Sequence, residues 1–113
     1  MLSIGEFARL VGVSVRMLRH YDQLGLLEPA RVDAFTGYRP YAPAQLDWAN
    51  RLVALKDLGF SLDEVGHLLA DEASEDEVLG LLQRRREELV HQLQADANRL
   101  ARVQARIRLI AKE

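Results

Sequence analysis

The stretch SVRMLRHYDQLGLLEP, residues 14–29, decides how this chain folds. Ser14 is a good N-cap, and a helix opened there runs until Gly25. Arg16, Arg19, His20 and Gln23 fall at i, i+3, i+4 and i+7, so they share one polar face. Met17, Leu18, Tyr21 and Leu24 line an adjacent apolar one. One face is expected to pack and the other to point outward.

Upstream, SIGE at residues 3–6 reads as a capping box, with Ser3 and Glu6 opening a helix that carries Phe7, Ala8 and Leu10 and ends at Gly12. Only Gly12, Val13 and Ser14 separate the two helices, which is the spacing of a helix-turn-helix. Downstream, EPARVDAFTGYRPY at residues 28–41 breaks the helical period at Pro29, Gly37 and Pro40 and reads as a short hairpin. Pro43 suits the first turn of a third helix carrying Leu46, Ala49, Leu52, Val53 and Leu55. FSLDEV at residues 60–65 opens a fourth, with Ser61 and Glu64 as a capping box and Phe60 and Val65 as its hydrophobic staple. SEDE at residues 74–77 supplies a third box, within the acidic stretch DEASEDE that reads as linker and first turn of the next helix.

From there no proline interrupts the chain, and residues 75–111 are expected to form one helix of roughly 55 Å at about 1.5 Å per residue. Leu82, Leu89, Leu93, Leu100, Val103, Ile107 and Ile110 follow alternating spacings of three and four, interrupted by Arg86 and Asp96 at seam positions. Such a helix outreaches one small domain, so self-association through a coiled-coil seam is expected over folding back onto its own head. The expected division is a helix-turn-helix head over residues 1–73 and a dimerisation helix over 74–113.

Composition bounds the function. The chain has 113 residues, 49% of them hydrophobic and 28% charged, as an ordinary folded domain does. No apolar run approaches the ~20 residues needed to cross a bilayer and no signal peptide opens the chain, so a cytoplasmic location without membrane contact is expected. There is no cysteine, and the three histidines, His20, His67 and His91, stand singly, so no metal or cofactor is expected. No nucleophile with a base, paired acid or phosphate loop suggests an enzyme. The formal net charge is -2, yet residues 1–60 hold seven Lys/Arg against six Asp/Glu while residues 61–113 hold eight against eleven. The acidic excess lies entirely in the second half, which permits nucleic-acid binding by the first.

A basic helical face is by itself often only solvated surface. Here it belongs to the second helix of a helix-turn-helix, the one that enters the major groove, where arginine forks meet guanine edges or phosphates. Tyr38, Arg39 and Tyr41 then stand on the neighbouring loop, where hydroxyls and a guanidinium reach phosphates. Packing beneath the hairpin is the competing reading for Tyr38 and Tyr41, and Tyr21 can pack its ring while offering its hydroxyl to DNA.

The order SIGEFARLVGVSVRMLRHYDQLGLLEPAR, GYRPY, LKDLGFSLDEVGHLL and then a long terminal helix resembles the mercury-resistance regulator (MerR) family of bacterial transcription factors, over about residues 2–110. The resemblance implies a mainly α fold: a winged helix-turn-helix head, and a long helix pairing two subunits in an antiparallel coiled coil. It implies homodimers on inverted repeats in promoters, distorting the DNA so that RNA polymerase can use it. Residue by residue, it implies DNA contacts by Arg16, Arg19, His20 and Tyr21 in the recognition helix and by Tyr38, Arg39 and Tyr41 in the wing. His20 departs from the tyrosine often found there, and Pro40 stiffens the wing. Lys56, with the helix start at Ser61, adds a candidate phosphate clamp. Family members usually end in an effector segment with cysteines or a drug-binding domain; this sequence ends at Glu113 without cysteine. That leaves open a chain without its effector segment or a stand-alone regulator. The alternative functions are a coiled-coil protein-interaction module and a DNA-bending accessory factor.

Overall fold

The computed structural model describes residues 1–70 and 73–112. The chain divides into two compact units, Met1–Glu72 and Ala73–Glu113.

The first unit holds α1 (Ile4–Val11), α2 (Val15–Gln23), α3 (Leu46–Asp57) and α4 (Leu62–Leu69). Local chemistry sets these boundaries. Ser3 Oγ accepts from the Glu6 amide while Glu6 Oε1 accepts from the Ser3 amide, and Ser61 with Glu64 repeats the arrangement at α4. Ser14 Oγ accepts from the Met17 amide to open α2. Gly12 closes α1 at φ 85, a left-handed conformation that a side chain resists, and its N–H satisfies the Ala8 carbonyl. Pro43 does not start α3 directly. It forms a 3-10 turn over Pro43–Gln45, with Gln45 Oε1 accepting from the Ala42 amide, before α3 begins.

α1 packs against α2 and α3, and α3 against α4. Phe7, Leu18, Ala49, Leu52 and Val65 are wholly buried between them. Both staple residues, Phe60 and Val65, lie in this core. Trp48 Nε1 donates to the Leu26 carbonyl at 2.8 Å and Gln45 Nε2 to that of Glu28 at 2.6 Å, so the chain leaving α2 is held against α3.

The expected hairpin is a loop rather than a pair of strands. Ala30 N–H donates to the Pro40 carbonyl and Asp33 N–H to that of Tyr38, but no ladder extends between them among the described residues. Pro29 and Pro40 lack the donors that such a ladder needs. The base of the loop pairs instead with the N-terminus: Leu2 and Tyr41 exchange backbone hydrogen bonds of 2.7 and 2.8 Å.

The second unit is α5 (Glu75–Ile110), 36 residues opened by Ser74, whose Oγ accepts from the Glu77 amide. Asp71 and Glu72, at the start of the acidic stretch, lie outside the described residues. No described side chain of α5 is buried within the chain. Leu82, Leu89, Leu93, Leu100, Val103, Ile107 and Ile110 are all exposed, and Leu79, three residues before Leu82, continues the same apolar line.

Candidate nucleic-acid interface

The second helix of the head sorts its side chains by what they touch. Leu18 and Tyr21 face inward and are buried, at 0% and 2% exposure. Ser14, Arg16, Met17, Arg19, His20 and Gln23 line one open recess on the opposite side. The four polar positions expected on one face therefore share it. Met17, assigned by its spacing to the packing side, joins them at 38% exposure, and Leu24 is half exposed too. The Met17 thioether gives the otherwise polar face an apolar point.

The wing is built on Asp33. Its Oδ1 accepts from the amides of Phe35 and Thr36 at 2.8 and 3.2 Å, and its carbonyl accepts from Gly37. Those amides hold the Asp33 carboxyl below the usual carboxylate range. Gly37 adopts φ 73, closing the turn where a side chain would strain it. The turn displays Phe35, fully exposed at 99%, and leaves Tyr38 at 46%. Phe35 is absent from the sequence reading; the signal for it is the Asx-turn residue two positions before.

Two tyrosines expected at the DNA-facing surface are buried instead. Tyr41 is 1% exposed and stacked on Phe7 with ring centroids 4.5 Å apart, so its ring belongs to the core and fixes the base of the wing. Burial raises the pKa of its phenol, Asp22 adding to the effect and Arg39 opposing it. Tyr21 is buried in the same way, and burial followed by the charge of Asp57 raises its pKa. Neither ring is free to lie on a groove wall.

Arg39 is exposed, but its Nη2 donates to the Asp22 carboxylate on α2, tying wing to helix. Lys56 Nζ donates to the Phe60 carbonyl at 3.3 Å, next to the α4 start at Ser61. Its ammonium serves the turn between α3 and α4, and the residue as a whole is exposed. No helix is long and apolar enough to cross a membrane among the described residues.

Comparison with known proteins places this geometry. A family model described as MerR HTH family regulatory protein matches residues 2–72. The transcriptional regulator BrlR of Pseudomonas aeruginosa is 35% identical over 113 residues, which cover 98% of this chain and 42% of that protein. The HTH-type transcriptional activator TipA of Streptomyces coelicolor is 44% identical over 73 residues, 65% of this chain and 28% of that protein. The chain thus spans less than half the length of these two relatives. Among solved structures, a MerR-family transcriptional regulator from Bacillus cereus superposes with a TM-score of 0.85 at 32% identity, covering 98% of this chain and 83% of that one. The EcmrR-DNA complex in EcmrR-RPo does so with a TM-score of 0.83 at 32% identity, covering 98% of this chain and 40% of that one. The family model covers the capped helix-turn-helix and its wing, more than half of the chain, and the chain belongs to the MerR family.

Proposed function

We propose that this chain acts as a homodimer that binds an inverted-repeat promoter operator and distorts the DNA so that RNA polymerase can use it. The observation that carries the reading is the outward face of α2, where Arg16, Arg19, His20 and Gln23 stand together on the second helix of a helix-turn-helix. Arg19 and Arg39 hold phosphates, Arg16 reads a base edge, and Tyr38 at the wing adds a hydroxyl. Lys56 is a further phosphate contact beside the start of α4. Support for the class of partner comes from the 32% identical EcmrR, whose structure was solved on DNA.

The dimer half of the proposal rests on α5, whose exposed aliphatic line is unsuited to a lone helix in water. Anisotropy titration of the chain against DNA from its own promoter region tests the reading at one fixed salt. Binding at least tenfold tighter than to scrambled DNA is expected, a modest demand beside the ratios specific binders reach. Equal affinity for both duplexes removes it. Sedimentation is expected to show a dimer at tens of micromolar, split by Leu93→Asp with Leu100→Asp.

A further inference from the structure

The apolar line along α5 is broken at Arg86 and Asp96, which carry opposite charges and are both exposed. Arg86 forms no ion pair among the described residues. A second helix packed on the line desolvates both positions, and a desolvated charge without a partner is costly. In a parallel, in-register pair each charge would face its own copy, giving like charges in two layers.

The spacings offer another solution. Arg86 is followed by a gap of three to Leu89 and Asp96 by a gap of four to Leu100, so the two belong to the alternate seam classes. Residues of alternate classes face one another across antiparallel helices. Taking the antiparallel pairing that the family resemblance implies, we propose that the Glu75–Ile110 helices of two copies meet in the register that sets Arg86 of each copy opposite Asp96 of the other. The same alignment sets Leu89 opposite Leu93, Leu82 opposite Leu100 and Leu79 opposite Val103. Every layer between Leu79 and Val103 is then aliphatic or ion-paired.

A register displaced by one heptad overlaps further, because it brings Ile107 and Ile110 opposite Leu82 and Leu79. It also turns Arg86 against Val103 and Asp96 against Leu93, leaving both charges of each copy desolvated. That penalty outweighs aliphatic layers at a helix end, where water still reaches the side chains. Asp96 already accepts from Arg99 at 2.8 Å within its own helix, so Arg86 of the other copy completes a cluster rather than displacing a partner. The proposal rests on the homodimer and adds its register, along with the charge pair that favours a second copy of this chain over a similar helix lacking it.

The absence of native cysteine makes crosslinking specific. Under mild oxidation, Leu89→Cys/Leu93→Cys is expected to form a covalent dimer, while Leu89→Cys alone and Leu89→Cys/Leu100→Cys are not. A crosslink through Leu89→Cys alone indicates parallel helices, and one in Leu89→Cys/Leu100→Cys indicates the displaced register; either overturns the proposal. So does the absence of any crosslink in variants that still sediment as dimers. A wild-type chain that sediments as a monomer removes the homodimer itself, and the register with it. Independently, Arg86→Asp is expected to raise the dimer dissociation constant by about tenfold or more, since like charges then meet twice. Adding Asp96→Arg to that variant restores the constant to within about threefold, and a double variant as weak as the single one overturns the pairing.

Discussion

The Arg39 guanidinium donates to the Asp22 carboxylate, joining the wing to the last turn of α2. Asp22 is the more enclosed partner, with 18% of its side chain exposed against 46% for Arg39. It also acts on the buried Tyr41 phenol. The ion pair therefore helps to set where the wing stands relative to α2, and Arg39 keeps donors free for a phosphate.

This pair makes a prediction whose sign is informative. Removing a negative charge near a DNA-binding face should by charge alone tighten binding. If Asp22 instead orients Arg39, Asp22→Asn weakens binding a few-fold, in line with the ~0.2–1 kcal/mol of an exposed ion pair. Arg39→Ala is expected to weaken operator and random DNA about equally, because the proposed contact is to the DNA backbone. Titrations at one salt concentration decide it, and tighter binding by Asp22→Asn would show the carboxylate merely competing with phosphate.

The parts of the head legible in the sequence are those that local chemistry controls. Ser3 with Glu6, Ser14 and Ser61 with Glu64 cap their helices within three residues, so their reach lies inside any short window. The polar face of α2 follows from helical spacing alone. What escaped reading depends on distant partners. Tyr41 resembles Tyr38 on the loop, and only its stacking on Phe7 separates a core ring from an exposed one. The Arg39 bond to Asp22 spans 17 residues, with no periodicity to announce it. The turn residues point to a hairpin, but prolines that make a good turn also remove the donors of a ladder.

Two glycines should respond to alanine in opposite directions. Gly12 holds φ 85 in open space, with nothing within 4 Å of an added Cβ, so Gly12→Ala meets only backbone strain. It should lower stability by about 1–2 kcal/mol. Gly80 also has open space but lies within α5 at no positive φ, so Gly80→Ala should raise helix stability by about 0.5–1 kcal/mol. Urea midpoints at constant slope measure both.

The capping box of α1 carries a pH signature. The Ser3 amide, and after it the Ser3 hydroxyl, hold the Glu6 carboxyl below its ordinary range. A value depressed on folding means that the ionised group contributes fully above the ordinary glutamate range. The contribution is lost as pH falls through the depressed value. Wild type should therefore exceed Glu6→Gln in melting temperature near neutrality, with the gap closing in acid. Melts across that range measure it, and a gap that does not change with pH would detach the cap from the charge.

Arg16 and Arg19 share the outward recess of α2, one helical turn apart along it. The N-terminal part of a recognition helix lies deepest in the major groove, so the proposed docking sets Arg16, in the first turn, nearest the base edges. Arg19 lies one turn on, and the proposed docking gives it the flanking backbone. Arg16→Ala should cost about 1–3 kcal/mol in operator binding and relax preference at one symmetric pair of positions. Arg19→Ala should weaken operator and random DNA alike. It should also flatten the salt slope by about two, one phosphate per subunit of the dimer. Affinities of both variants for both duplexes, measured across a salt series, separate these roles. An unchanged specificity ratio for Arg16→Ala, together with a flattened slope, would make Arg16 the phosphate contact and move base reading to Arg19 or to its neighbours Met17 and His20.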